Sequence, residues 1–164
     1  MKALARQILH VCITVPDLDE ALGFYRDVLG FTSVFETRND DADGRLLGFD
    51  QDAIGLYAHH VLTVGADPGQ ATQINLVEFT NPKTTVADGP YREMNHVGIT
   101  RLALAVDSVD DAFETVRTYP GVQIVCAPKD IVIREPEVTL TARWFSFTDP
   151  YGVFLTMAEA PKVS

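Results

Sequence analysis

Four histidines, two cysteines and a scatter of carboxylates and arginines are the groups in this 164-residue chain that could do chemistry. His10 stands in the apolar alternating stretch Leu9-His10-Val11-Cys12-Ile13-Thr14-Val15. Such alternation reads as a strand with His10, Cys12 and Thr14 on one face and Val11, Ile13 and Val15 on the other. A histidine placed this way can serve as a base, a metal ligand or a hydrogen-bonded core group. Glu78, in Leu76-Val77-Glu78-Phe79, shares its face with Leu76 and Ile74. Arg101 heads a second alternating stretch, with Ala103 and Ala105 on its own side and Leu102, Leu104 and Val106 on the other. A guanidinium keeps its proton, so Arg101 can pair with or stabilise an anion but cannot act as base or ligand. His59 and His60 are adjacent, so a strand would point one to each face, where the inward one could serve as a metal ligand; both also read as ordinary strand residues. His96 falls in a connection. Cys12 and Cys126 lie in apolar runs without CxxC spacing and read as buried thiols of a reducing cytoplasm, without nucleophilic use. No phosphate-binding glycine loop, dinucleotide fingerprint or GxSxG elbow is present.

The elements that hold these residues come from composition and from a repeat. The hydrophobic fraction is 46% and the formal net charge −10, with a pI near 4.6. An acidic chain of this kind repels nucleic-acid backbones and anionic membranes, and no run reaches the roughly 18 apolar residues of a membrane span. The start of the chain turns polar at Arg6 and Gln7, unlike the apolar core of a signal peptide. The expectation is a cytoplasmic, single-domain globular protein.

An ungapped offset of 91 relates residues 13–34 to 104–125, pairing Val15 with Val106, Asp19 with Asp110, Ala21 with Ala112, Arg26 with Arg117, Gly30 with Gly121 and Val34 with Val125. Each copy opens with a strand, at 8–15 and 99–106. An acidic helix start follows (Asp17-Leu18-Asp19-Glu20 or Asp107-Ser108-Val109-Asp110-Asp111), which suits the free N–H groups and the dipole of a helix N-terminus. Leu18, Leu22, Tyr25 and Leu29 give the first helix its apolar stripe; Val109, Ala112, Phe113 and Val116 give the second. Gly30 and Gly121 stand where a glycine ends each helix. Further strands are predicted at about 31–38, 58–65 and 72–79, then 122–126, 139–148 and 152–158, with Asp149-Pro150-Tyr151-Gly152 as a turn. The chain thus reads as α+β, two βαβββ modules (about 8–80 and 98–158) joined by a linker at about 81–97. Neither half has enough core alone, so the two should pair into one cup-shaped, half-open barrel domain.

Leu9-His10-Val11, Val15-Pro16-Asp17-Leu18 and Phe24-Tyr25-Arg26-Asp27-Val28-Leu29-Gly30-Phe31 resemble the first module of the vicinal oxygen chelate superfamily, which holds glyoxalase I, extradiol dioxygenases, epimerases and bleomycin-resistance proteins. Leu76-Val77-Glu78-Phe79 is similar to its fourth strand, and Phe147-Thr148-Asp149-Pro150-Tyr151-Gly152 to its last hairpin. The likeness covers nearly the whole chain. It implies a metal site with one ligand from each of four strands, typically His, Glu, His and Glu. Those positions map to His10, Glu78, Arg101 and Thr156, so two ligands are missing. Arg101 would substitute its charge for that of the metal and pair with Glu78, which implies no metal; the fallback is one divalent metal at His10 and Glu78.

The resemblance also implies a small-organic-molecule pocket. His10, Cys12 and Thr14 would line it with Leu76, Glu78, Ala103 and Thr156, while Trp144 and Phe154 would stack on a ligand. Three functions follow from it. One is metal-independent proton transfer beside a carbonyl, of isomerase or lyase type, with Glu78 or His10 as base and Arg101 steadying the enolate. The others are non-catalytic binding of a drug or metabolite, and a metal-dependent lyase or dioxygenase. A homodimer is the implied assembly.

Overall fold

A computed structural model describes residues 8–47, 49–85, 101–134 and 138–163. The chain is mixed α+β, rich in strands and poor in helix, and divides into two compact units, residues 1–86 and 87–164.

In the first unit, β1 (His10–Thr14) leads into α1 (Leu18–Leu22), and three strands follow, β2 (Phe31–Asp43), β3 (Ala53–Thr63) and β4 (Gln73–Asn81). The sheet order is β1-β4-β3-β2, with β1 parallel to β4 and the remaining pairs antiparallel. Asp17 caps α1 by accepting from the Glu20 N–H. After Leu22 the helix widens into a π-helical turn over Gly23–Val28, where the Leu29 N–H reaches back five residues to the Phe24 carbonyl. The extra residue lets two successive aromatics, Phe24 and Tyr25, both bury completely beneath the helix. Gly30 ends the element at φ +76°, a conformation that costs only glycine nothing.

The second unit repeats the plan. β5 (Leu102–Ala105), α2 (Val109–Val116), β6 (Gln123–Arg134), β7 (Thr139–Thr148) and β8 (Phe154–Ala158) give the order β5-β8-β7-β6, again with the first and last strands parallel. A short β9 (Lys162–Val163) pairs with β7. Ser108 caps α2 from the position equivalent to Asp17, and Gly121 answers Gly30 at φ +85°. The helix-facing sides of the two sheets are apolar: Ile13, Val15, Leu76 and Val61 in one, Phe145, Phe147, Leu155 and Met157 in the other.

Two strands run further than their side chains announce. β2 continues through the polar Asn39–Asp43, and β6 extends to Arg134 rather than 126. Pairing is made by backbone groups, so a two-stranded extension tolerates polar side chains on both faces. Register shifts between Asn39 and Ala42, and on both sides of Cys126, mark β-bulges that break the simple alternation. Among the described residues no helix is long and apolar enough to cross a membrane.

Candidate functional site

Register decides which side chains meet. In the first unit His10 pairs with Gln73 and Cys12 with Asn75, while Asn75 also stands opposite His60 on β3. One face of this sheet therefore carries His10, Cys12, Thr14, His60, Gln73 and Asn75. The His10 and His60 rings meet edge to face at 5.1 Å, and Phe35 of β2 closes on the far side of His60 at 5.6 Å. Gln73 Oε1 lies 2.7 Å from His60 Nδ1, and Asn75 Nδ2 lies 3.7 Å from Cys12 Sγ. The other amide atom of Asn75, Oδ1, is buried without a hydrogen-bond partner among the described residues. Cys12 is exposed and Cys126 half-buried, so the expected burial of both thiols does not hold. Cys12 follows the exposed side of the alternating β1, and Cys126 sits between two register shifts of β6.

Glu78 and Leu76 take the opposite face. Leu76 pairs with Ile13 and His59, the side on which Ile13 and Val15 bury under α1, and is itself fully buried. Glu78, two residues on, turns its Oε2 to the Leu18 N–H at 2.9 Å. That N–H is one of the donors a helix leaves unpaired at its start, and a carboxylate there also meets the positive end of the dipole. The expectation that Leu76 and Glu78 share a lined face with His10 is therefore corrected: both belong to the helix side.

The second unit makes the same clamp. Glu159 Oε1 accepts from the Val109 N–H at 3.0 Å. Val109 lies 91 residues after Leu18, and Glu159 lies 81 after Glu78. Glu78 is thus one of a pair of structural carboxylates. Applying the same offset of 81, Asn75 corresponds to Thr156; Asn75 pairs with Cys12, and Thr156 pairs with Ala103, 91 residues after Cys12. The four repeat-related positions are therefore His10, Asn75, Arg101 and Thr156. Asn75 is the residue that motif matching missed, because Glu78 has the expected residue type three places along on the wrong face. The correspondence of Leu76-Val77-Glu78 with Met157-Ala158-Glu159 is the sequence signal that would have found it.

In the second unit Thr156 stands between Ala103 and Ser146 on one face of the sheet, and its buried Oγ1 has no partner among the described residues. Phe154 and Ala158 share that face, the first buried. Arg101 places its guanidinium carbon 5.5 Å above the Trp144 ring, whose Nε1 is likewise unpartnered among the described residues. Stacking suits the weakly hydrated guanidinium and leaves its N–H donors available. Ala103 is exposed, and Thr14 is exposed on its own strand in the first unit.

His59 faces the helix side of the first unit, with Ser33 Oγ 3.0 Å from its Nδ1 and Glu36 3.7 Å from its Nε2. It borders a cavity of about 470 Å³ together with Arg38, Tyr57 and Glu78. Arg38 lies over the Tyr57 ring at 4.8 Å. The corresponding place in the second unit holds Arg143, which binds Asp110 and Asp130 at once beside a cavity of about 230 Å³. Arg143 holds the Asp110 carboxyl below the usual carboxylate range, mainly through their hydrogen bond. His96 lies outside the described residues.

Residues 7–157 match the Glyoxalase/Bleomycin resistance protein/Dioxygenase superfamily, and the chain belongs to that family. It is 30% identical over 156 residues to a 2-epi-5-epi-valiolone epimerase from an Actinomyces species, covering 93% of this chain and 78% of that protein. A glyoxalase family protein from Bacillus cereus shares the fold with a TM-score of 0.70 and 21% identity, over 97% of this chain and 95% of the other. An antibiotic binding protein from a Streptomyces species matches with a TM-score of 0.56 and 19% identity, over 96% and 98%.

The four-ligand metal centre that the resemblance implies does not fit this set of side chains. Asn75 and Thr156 offer neutral oxygens, Arg101 offers none, and no group of three or more His, Cys, Asp or Glu side chains suited to a metal ion occurs among the described residues.

Proposed function

We propose that the chain is an isomerase-type enzyme that moves a proton at a carbon next to a carbonyl in a small hydroxylated organic molecule, without a metal. The observation that carries this reading is the 30% identity to an epimerase over 93% of the chain. The chemistry of the side chains supports it. The His10 face of the first unit offers imidazole nitrogens for proton transfer and, at Asn75 Oδ1, a buried acceptor that suits a substrate hydroxyl. Arg101, in the second unit, carries a fixed positive charge of the kind that stabilises an enolate oxygen. Glu78, committed to the Leu18 N–H, is withdrawn as a base.

The test is incubation of the full chain, purified without chelators or a histidine tag, with 2-epi-5-epi-valiolone in deuterated water. Epimerisation with deuterium at the inverted carbon is expected, and elemental analysis of the same sample for Mn, Fe, Co, Ni and Zn should find no stoichiometric metal. Arg101→Ala is expected to lower kcat by about 10²- to 10³-fold, the usual cost of losing one group that stabilises an oxyanion. Its thermal melt should stay near that of the parent. Saturable binding without product would overturn the enzymatic reading, and one metal per chain would overturn the role given to Arg101.

A further inference from the structure

We propose that His60 is the residue that takes the proton from the substrate carbon, and that Gln73 is the positioning residue that keeps it in the basic tautomer. This inference rests on the proton-transfer reading above.

The assignment follows a chain of hydrogen bonds whose directions are fixed by chemistry. The Pro68 carbonyl can only accept, and it lies 3.1 Å from Gln73 Nε2, so the amide nitrogen points there. The amide oxygen then faces His60 Nδ1 at 2.7 Å. An amide oxygen also only accepts, so Nδ1 must carry the hydrogen. Neutral His60 is therefore the Nδ1–H tautomer, and its other nitrogen, Nε2, holds a free lone pair. Among the described residues no hydrogen bond engages Nε2. The ring cannot swing to a different arrangement without losing both edge contacts, 5.1 Å to His10 and 5.6 Å to Phe35. Both of those rings, Gln73 and Asn75 come from β1, β2 and β4, so every strand of the unit helps to hold this one imidazole. The titratable neighbours on its face are His10 and Cys12 of β1.

His10 has no comparable hydrogen bond among the described residues to select its tautomer, which is why the better-placed base is its neighbour. In the step itself the carbon–hydrogen bond breaks, and its electron pair becomes the carbon–carbon π bond of an enolate. The carbonyl π pair moves onto oxygen, and the proton forms a bond to His60 Nε2. A water molecule returns a proton to the opposite face of the carbon as the enolate collapses, and the hydroxide so formed takes the proton held on His60. Atoms and charge balance, and the inverted centre carries a solvent hydrogen.

Two measurements on the full chain test this. In nitrogen NMR of histidine-labelled protein near neutral pH, His60 should show a protonated Nδ1 and an unprotonated Nε2, and Gln73→Leu should abolish that preference. A wild-type His60 carrying its hydrogen on Nε2 would overturn the proposal, whatever the substrate. In deuterated water with 2-epi-5-epi-valiolone, His60→Asn should lower exchange by about 10²-fold or more, the range of a lost general base. Gln73→Glu should retain activity and move the acid limb of kcat/KM to higher pH, because a carboxylate facing Nδ1–H favours the imidazolium. A merely structural Gln73 would leave that limb in place. Full exchange in His60→Asn would overturn the base and spare the epimerase reading; no exchange by the wild type would overturn that reading and the base with it.

Discussion

The two units share their scaffold and differ in the residues that could react. Both cap the helix from an Asp or Ser at its N-terminus, and both clamp its first N–H with a glutamate from the close of the module. Both also carry a left-handed glycine before the next strand, Gly30 directly after the helical element and Gly121, contrary to expectation, in the turn beyond α2, which ends at Val116 with Arg117 as its cap. At the repeat-related positions the first unit carries His10, an imidazole able to move a proton, and Asn75, an amide that donates and accepts hydrogen bonds. The second carries Arg101 and Thr156, a permanent cation and a small hydroxyl. On the helix side the contrast runs the other way. The second unit closes its groove with Arg143 between two aspartates, while the first leaves a larger cavity beside Tyr57 and Arg38. Identity across repeats thus marks what the fold needs, and divergence marks where the units have taken separate work.

The strongest way to break that comparison is through the buried pair Leu76 and Met157, which stand at equivalent positions at 0% and 4% exposure. Leu76→Ala and Met157→Ala should each cost about 2–5 kcal/mol, read by denaturant titration, because each opens a cavity in a packed sheet–helix interface. A cost well below that range for Leu76→Ala alone would mean that its side chain is not core. Next come the two clamps. Glu78→Gln and Glu159→Gln should each cost about 1–2 kcal/mol, since a charged acceptor at a helix start is replaced by a neutral one. Both should leave turnover largely intact. Loss of turnover in Glu78→Gln but not in Glu159→Gln would restore Glu78 to the catalytic machinery.

The smallest effect belongs to Arg143, whose ion pairs lie near the surface. The Asp110 carboxyl titrates below its usual range, so the stability it contributes is present above the unfolded carboxylate pKa. It disappears as pH falls through the lowered folded value. Thermal melts of wild type and Arg143→Leu should therefore differ most near neutrality and converge in acid. The first unit has Tyr57 at the equivalent place, so Tyr57→Phe should show no such convergence.

Much of this was legible in the residues. The offset of 91, the acidic helix starts and the two glycines gave the doubled βαβββ plan, and alternation placed His10, Cys12 and Thr14 together. Glu78 misled because residue type was matched before parity: three places separate it from Asn75, and an odd shift along a strand changes the face. Which of His59 and His60 faces His10 was not readable, since adjacent residues are symmetric until a register is known. The end of β2 was hidden because its polar side chains carry no apolar alternation, and that of β6 because Pro128 and the register shifts around Cys126 separate its start from Ile131-Val132-Ile133.

The glutamate clamps have one more consequence. Each joins the start of a helix to a carboxylate 60 or 50 residues later in the chain, and each lies beside a parallel pairing of first and last strands. During synthesis the helix would emerge long before its clamp exists, and the first strand before its neighbour. A unit can close on itself only when its last strand has left the ribosome, so its assembly is paced by non-local contacts rather than by the helix. A nascent chain cut short of Gln73 would hold His10 and His60 without the strand that sets their register.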